Sequence, residues 1–349
     1  ANSVLHAVRF DATRGVVQGE PVALVDGVLT KDSGAANYDV SDDGTLVYMT
    51  GTDTGGESRL TWIDRSGTRT AVNAPSRRYS GLRLSPDGLK GAVLTDEAGA
   101  LTAWVMDLER GTLSRLAPAT THVSGLAWSP DGRMVALAVS IAGSDLNGIY
   151  VAAAAGTGTP RRLTHAESGV RHVPTHWHAE GIFFSEIKGT GNEVHRVDPI
   201  SKQVTPVLTG PSGAVGAVLS GDGRWLAYTS SETGSEEIYI RPYPNLDDDR
   251  MILTSTGGRA PFWTADDRAL LFLNGDGVPM RVSVARQGGR LAFGVPEPVV
   301  EGQEWSRAPL IAASADGMRL LTVVKPESAA SPHEYRVILN WFEELRARV

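Results

Sequence analysis

The chain of 349 residues contains no cysteine and no long apolar run. It can therefore have no disulfide, no thiolate metal site and no cysteine nucleophile. A cysteine-free composition is compatible with an oxidising compartment, so we expect an extracytoplasmic or periplasmic location, with the cytoplasm as the alternative. No apolar stretch reaches the roughly 18 residues of a membrane-spanning helix, so we predict no membrane insertion by this chain.

Signatures of several enzyme and binding classes are also missing. There is no Gly-x-Ser-x-Gly nucleophile elbow and no zinc-protease helix motif. The formal net charge is -7, which argues against a general nucleic-acid-binding surface. Helix-forming periodicity is confined to residues 340–348, where Trp341, Phe342 and Leu345 have helical spacing.

What the sequence has is a repeated hairpin. Residues 126–137 read as two short apolar strands around the turn Ser129-Pro130-Asp131-Gly132. Seven such turns align on their glycine or its substitute, at positions 44, 88, 132, 181, 223, 267 and 317. The steps of 44, 44, 49, 42, 44 and 50 residues are typical of a β-propeller, in which each blade is a four-stranded sheet.

We therefore predict an all-β fold, a single seven-bladed β-propeller domain over residues 1–349. The first and last repeats are incomplete in complementary ways. Residues 4–25 supply two strands without a preceding hairpin, while the seventh repeat has its first hairpin but little after it. The N-terminal strands 4–10 and 21–25 are expected to complete the last blade, built from residues 311–323, which would leave no exposed sheet edge. A six-bladed ring is the alternative.

Two repeated residue types have a structural interpretation. The turn aspartates Asp43, Asp87, Asp131, Asp222 and Asp316 are predicted to cap their own turns rather than form a carboxylate array. Trp128, Trp177 and Trp263 share one position on the first strand of their repeats, and we predict that they pack between blades.

The hairpin followed by Trp104-Val105-Met106-Asp107-Leu108 resembles the TolB-like, WD-like propeller repeats of bacteria. Residues 38–48, residues 62–67 (WIDRSG) and residues 339–345 (LNWFEEL) further resemble the propeller region that lies C-terminal to many bacterial Ser/Thr protein kinases. That resemblance implies a sensing or binding module. It implies no kinase activity, because neither the Gly-rich phosphate loop nor the His-Arg-Asp catalytic loop is present.

Cationic and aromatic side chains recur just before the first strand of several repeats. They are Arg78, Tyr79, His122, Arg171, His172, Arg259 and Arg307. In a propeller these loops surround one mouth of the central channel. We therefore predict a ligand site there for an anionic or carbonyl-bearing small molecule, because a concave site of one charge sign attracts the opposite sign.

Four of the eight histidines lie between residues 165 and 178. His172, His176 and His178 are candidate ligands of a divalent metal such as calcium, and His172 and His176 are candidate catalytic residues if the protein is an enzyme. A polar loop with one packed histidine is the alternative interpretation.

Two functions remain open on the sequence. The first is a sensor-type propeller that binds a small anion or a protein partner, without nucleic acid. The second is a metal-dependent enzyme with its site at the channel mouth, such as a lactone hydrolase or a lyase of acidic sugars.

Overall fold

A computed structural model describes residues 4–11, 13–28, 38–41, 43–50, 58–97, 99–118, 121–141, 143–189, 191–210, 213–247, 250–302, 305, 311–324 and 334–348. The chain divides into two compact units. Unit 1 comprises residues 1–57 and 325–349, and unit 2 comprises residues 58–324.

The described residues form thirty strands and one helix, numbered here in chain order. The first ten strands are β1 (Leu5–Asp11), β2 (Val16–Val25), β3 (Tyr38–Val40), β4 (Leu46–Thr50), β5 (Arg59–Asp64), β6 (Arg69–Ala71), β7 (Tyr79–Leu84), β8 (Lys90–Glu97), β9 (Ala100–Asp107) and β10 (Leu113–Arg115). The next ten are β11 (His122–Trp128), β12 (Met134–Ser140), β13 (Gly148–Ala153), β14 (Arg161–Arg162), β15 (Arg171–His178), β16 (Gly181–Ile187), β17 (Glu193–Val197), β18 (Val204–Leu208), β19 (Val215–Leu219) and β20 (Trp225–Ser230). The remaining elements are β21 (Glu237–Pro242), β22 (Met251–Ile252), β23 (Gly258–Trp263), β24 (Ala269–Asn274), β25 (Pro279–Gln287), β26 (Arg290–Phe293), β27 (Glu297–Pro298), β28 (Ile311–Ala313), β29 (Arg319–Val324), β30 (Glu334–Ile338) and α1 (Trp341–Arg348).

The repeated turn explains why the strands pair locally. In the turn between β11 and β12, Gly132 has a φ of 68° and its amide donates to the carbonyl of Ser129 at 2.9 Å. The Ser129 hydroxyl donates to Asp131 Oδ1 at 2.6 Å and accepts from the amide of Met134 at 2.9 Å. The same serine-to-aspartate bond occurs at Asp43, Asp87, Asp222 and Asp316. The predicted structural role of these aspartates is therefore confirmed.

Unit 2 is built from consecutive antiparallel sheets in its described residues. Four of them follow the chain directly, as β7–β10, β11–β14, β15–β18 and β19–β22. A fifth contains β23, β24 and β25, with both β26 and β27 paired to β25. The sixth has the order β28-β29-β5-β6, so it joins strands from the two ends of the unit.

Buried apolar clusters link these six sheets in a closed cycle. One cluster joins the sheet of β7–β10 to that of β11–β14. Three more join β11–β14 to β15–β18, β15–β18 to β19–β22, and β19–β22 to the sheet of β23–β27. A fifth cluster packs Ile63 and Leu320 of the sixth sheet against Leu271. The last packs Leu60 and Leu321 of that sheet against the sheet of β7–β10. The unit is an all-β propeller, as predicted.

The closing strands are not those predicted from the sequence. β28 and β29 are completed by β5 and β6, whereas β1 pairs with β2. The burial of the strands explains the difference. A closing strand needs apolar residues on both faces, and β5 supplies Leu60 and Ile63, which are 1% and 2% exposed. Most of β2 is exposed to solvent.

Unit 1 contains the β1-β2 hairpin, the sheet of β3, β4 and β30, and helix α1. The hairpin aligned on Gly44, the first of the seven, lies in this unit as β3-β4. Trp341 of α1 is buried against Val25, Leu46 and Tyr48. Among the described residues no helix is long and apolar enough to cross a membrane. The single-domain assignment over residues 1–349 stays a prediction.

Candidate functional site

The first strand of each sheet in unit 2 surrounds the propeller channel. Each of these strands has one residue five positions before the aligned turn glycine or its substitute. We call these six residues the channel layer: Arg83, Ala127, His176, Val218, Phe262 and Ala312. The side chain is large in every second sheet. Arg83 is exposed and Phe262 is 40% exposed, while Ala127, Val218 and Ala312 are buried. Neither Arg83 nor Phe262 is among the site residues predicted from the sequence.

Arg83 is the charged member of the channel layer. Its side chain is exposed, yet desolvation by the surrounding protein lowers the pKa of its guanidinium. A side chain that lines an internal channel is expected to have both properties, because solvent reaches it while protein surrounds it. Among the described residues, the Arg83 guanidinium has a hydrogen bond to the carbonyl of Leu82, to which Nη1 donates at 2.9 Å. No carboxylate of the described chain forms an ion pair with it.

His176 contributes a neutral imidazole to the same layer. Burial, and to a smaller extent the neighbouring His178, lowers the pKa of His176 to about 4. The His176 and His178 rings stack with their centroids 6.0 Å apart. Nε2 of His176 is buried and has no hydrogen-bond partner among the described residues. This nitrogen is therefore an unsatisfied polar atom of the channel layer.

The low pKa of His176 predicts a loss of stability in mild acid. In the unfolded chain this histidine takes a proton near pH 6.5, whereas in the folded protein it resists protonation until about pH 4. The unfolded state therefore binds more protons in that window, and the free energy of unfolding falls as pH drops from 6.5 to 4, by about 3 kcal/mol at most. His176→Asn should remove this component in urea unfolding at pH 7 and pH 4.5. An unchanged pH dependence in His176→Asn would contradict the assignment. His172, whose pKa is also lowered, is present in both proteins.

The residues predicted to surround the channel mouth lie at or near the starts of first strands. Their side chains differ in exposure and in hydrogen bonding. The Tyr79 hydroxyl donates to the carbonyl of Pro75 at 2.6 Å, and burial raises the pKa of Tyr79 to about 12. Nδ1 of His122 accepts from the amide of Leu101 at 3.3 Å. Arg78 and Arg171 are exposed, and Arg259 is half-buried. Arg307 lies outside the described residues. The anion site at this mouth stays a prediction.

His172 belongs to a charged cluster on the third sheet. Its Nδ1 accepts from the hydroxyl of Thr164 at 2.9 Å, and its Nε2 donates to Glu186 Oε2 at 3.1 Å. Burial lowers the pKa of His172 against the opposing effect of Glu186, so the ring is neutral. We define the third-sheet charged cluster as His172, Glu186, Lys188, Glu193 and His195.

The predicted metal set of His172, His176 and His178 is not brought together. The strand register shifts between Pro174 and His176, where β15 has an irregularity of the β-bulge type. Before it, Pro174 lies opposite Phe184, and after it His176 lies opposite Phe183. Since Phe184 and Phe183 face different neighbouring sheets, His172 lies on one face and His176 on the other. Among the described residues, the three donors that converge are Glu186, Glu193 and His195, whose ligand atoms lie within 4.8 Å of one another.

Comparison with known proteins identifies the family. The family model of the prolyl oligopeptidase N-terminal β-propeller domain matches residues 97–286, which is more than half of the chain. The chain belongs to this family. No curated protein matches it.

Solved structures share the propeller fold of this family member at low sequence identity. A protein named TolB from Agrobacterium tumefaciens has a TM-score of 0.59 and 18% identity, over 77% of this chain and 98% of that chain. Hydrazine synthase of Kuenenia stuttgartiensis has a TM-score of 0.52 and 16% identity, over 87% and 94% of the two chains. A puromycin-hydrolyzing peptidase of Mycobacterium tuberculosis has a TM-score of 0.51 and 15% identity, over 83% and 53%. The TolB-like propeller is thus confirmed, and the kinase-associated context stays a prediction.

Proposed function

We propose that the chain is a six-bladed binding propeller that takes a small organic anion, a carboxylate or a phosphate ester, in its channel beside Arg83. The observation that carries this proposal is the guanidinium of Arg83, which is water-accessible, desolvated and without a carboxylate partner in the described chain. The six-blade count rests on the closed cycle of six sheets in unit 2.

The electrostatics favour an anion at this position. A guanidinium stays charged at any physiological pH, so desolvation leaves a permanent positive charge in the channel. At 4 Å and an effective dielectric constant of 20, an opposite unit charge would contribute about 4 kcal/mol before its own desolvation is subtracted. A bound carboxylate or phosphate would therefore offset much of the cost of holding Arg83 there.

The other large members of the channel layer describe the rest of the ligand. The neutral His176 has a buried nitrogen without a partner among the described residues, which can donate to or accept from a polar group. Phe262 offers an exposed apolar ring. An anion with an apolar or ring portion would use all three groups. Arg171, exposed at the start of β15, would increase the local concentration of anions near one mouth.

A binding role fits the contacts better than the enzyme alternative. A metal-dependent lactone hydrolase or acidic-sugar lyase required His172 and His176 to act in one site, and the β-bulge places them on opposite faces of the sheet. A location outside the cytoplasm stays part of the proposal, and it rests on the cysteine-free composition and the TolB-like resemblance.

The test compares two arginine variants with the same change in charge. Wild-type protein should melt at a higher temperature in millimolar citrate or phenyl phosphate, because a ligand of the native state raises stability. Arg83→Gln should weaken that affinity roughly 10- to 100-fold, as expected when a charge-assisted hydrogen bond is lost. The matched control is Arg133→Gln, which removes an exposed arginine of the turn between β11 and β12 and should leave affinity unchanged.

Two further measurements sharpen the result. Arg171→Gln should reduce affinity less than Arg83→Gln does. The effect of Arg171→Gln relative to wild type should shrink as salt rises, because exposed charges are screened. If Arg83→Gln responds to the anions as the wild type does, the channel layer is not the ligand site.

A further inference from the structure

The third-sheet charged cluster lies along one row of the sheet, away from the channel layer. His172 pairs with Glu186 across β15 and β16, and Glu186 pairs with Glu193 across β16 and β17. His195 is two residues beyond Glu193 on the same strand, so its side chain is on the same face. Four polar side chains from three strands therefore lie on the same face of the sheet, near one end of these strands.

We propose that Glu186, Glu193 and His195 form a binding site for a divalent transition-metal ion, and that the ammonium group of Lys188 competes with the metal for this site. The site goes beyond the anion-binding function, since it takes a ligand of opposite charge at a different place.

The distances within the cluster fit one cation. Nζ of Lys188 is 3.0 Å from Glu186 Oε1 and 3.0 Å from Glu193 Oε2. Nε2 of His195 is 3.2 Å from Glu193 Oε2 and 3.9 Å from Glu186 Oε1. Metal–oxygen and metal–nitrogen bonds of about 2.0–2.2 Å place neighbouring ligand atoms about 3–3.5 Å apart. Small side-chain movements would bring all three donors to a metal.

A second set of contacts holds one of the ligands in place. The other oxygen of Glu186, Oε2, accepts from His172 Nε2 at 3.1 Å, and Thr164 donates to His172 Nδ1 at 2.9 Å. These two hydrogen bonds fix the plane of the Glu186 carboxylate, while Glu186 Oε1 stays directed into the cluster. Hydrogen bonds of this kind orient the ligands of metal sites.

His195 is suited to turn a lone pair towards a cation. Without a metal, Nε2 carries the proton and donates to Glu193 Oε2 at 3.2 Å, because a carboxylate only accepts. Nδ1 is buried and has no hydrogen-bond partner among the described residues, so it can hold the proton when a metal takes the place of the proton on Nε2. With the proton on Nδ1, the lone pair of Nε2 points at the carboxylates. The ring stacks on Phe184 with centroids 5.5 Å apart, and this contact restricts its rotation.

The donor set indicates the class of metal. Calcium prefers six to eight oxygen ligands, so an imidazole and two carboxylates suit it poorly. Zn²⁺ and Mn²⁺ accept mixed nitrogen and oxygen donors and can complete their coordination with water. The cluster is half-buried, with Glu186 and Glu193 side chains each 22% exposed, so water can reach the remaining positions.

Lys188 explains how the two carboxylates stay close without a metal. Its ammonium group bridges them, with Nζ 3.0 Å from one oxygen of each carboxylate, so it neutralises part of their negative charge. The side chain is 30% exposed and follows the end of β16, so it can rotate into solvent when a metal arrives. Metal affinity in the wild type is therefore reduced by the work of displacing Lys188.

The experiment uses the full chain with Mn²⁺ and Zn²⁺ as probes. Free Mn²⁺ is counted by electron paramagnetic resonance, and Zn²⁺ binding is followed by thermal shift at pH 7. Lys188→Met keeps the aliphatic stem and removes the charge, and it should bind both ions at least tenfold more tightly than wild type. Glu193→Gln should bind at least tenfold more weakly. Glu180→Gln, an exposed glutamate at the other end of the same sheet, is the matched control and should bind like wild type.

The ligand atom can be identified separately from the affinity. Mn²⁺ bound to Lys188→Met should show a nitrogen hyperfine coupling that disappears in the further variant carrying His195→Gln. This readout remains informative if Glu193→Gln fails to fold, which circular dichroism would reveal. The proposal is overturned if Lys188→Met binds no more tightly than wild type, or if the nitrogen coupling is absent. Neither result would bear on the anion affinity of Arg83, since the two measurements use different ligands.

Discussion

A chain spanning residues 58–324 should fold as a cooperative monomer, whereas one spanning residues 73–324 should not. The difference between them is β5 and β6, which complete the sixth sheet. β5 pairs with β29 along six consecutive residues, from Arg59 opposite Val324 to Asp64 opposite Arg319. Without β5, the backbone of β29 would become an open sheet edge.

Removing β5 should lower the stability of the unit by more than removing an ordinary edge strand, because its side chains are buried on both faces. Leu60 packs in the cluster shared with the sheet of β7–β10, while Ile63 packs on the opposite face against Leu271. Each fully buried side chain contributes about 1.5–3 kcal/mol relative to exposure. Removing both therefore costs about 3–6 kcal/mol before the strand ladder is counted. That loss is a large fraction of the net stability of a domain, which is usually about 5–15 kcal/mol.

Size-exclusion chromatography with light scattering and thermal melts by circular dichroism would measure this. We expect a single sharp transition for residues 58–324, and aggregation or a broad transition for residues 73–324. The control is a chain that lacks residues 1–25, whose strands β1 and β2 pair with each other, and it should retain the transition of unit 2. A cooperative monomeric melt of residues 73–324 at the same temperature would contradict this account of closure.

The sequence predicted the hairpins well because their information is local. A turn such as Ser129–Gly132 fixes its two strands through contacts within six residues of chain. Closure was assigned to the wrong strands because it depends on pairing over more than 250 residues of chain, as between Arg59 and Val324. The local sequence identifies β1, β2 and β5 as strands, but it does not encode which of them pairs with β29.

The candidate sites show the same division between local and distant information. Repeat alignment placed Arg171 and His172 at the start of a first strand, as the structure has them. It could not show that a bulge after Pro174 turns His176 to the other face. Glu186, Glu193 and His195 come together through strand register, and Arg83 matters because of its desolvation. Neither property is visible in residue spacing.

The second large effect concerns Trp128. We expect Trp128→Ala to lower the free energy of unfolding by about 3–5 kcal/mol, as large-to-small core substitutions of aromatic residues do. Trp128 is 7% exposed and packs against Ala92, Leu94 and Val105 of the preceding sheet, which confirms the predicted inter-blade position. Its Nε1 also donates to the carbonyl of Arg83 at 2.9 Å.

These two contributions can be separated with a second substitution. Trp128→Phe keeps most of the apolar volume and loses the hydrogen bond, so it should cost about 1–3 kcal/mol, the penalty of one unsatisfied polar group. Urea unfolding at pH 7 would measure both variants, with an unchanged slope showing that the midpoint shift reports stability. Ile200→Ala is the control, because that side chain is 89% exposed and its loss should cost less than about 0.5 kcal/mol. A cost of Trp128→Ala as small as that of the control would place this side chain in solvent. If the hydrogen bond also positions the backbone of Arg83, Trp128→Phe should weaken anion binding as well as stability, which links the packing between two blades to the ligand site in the channel.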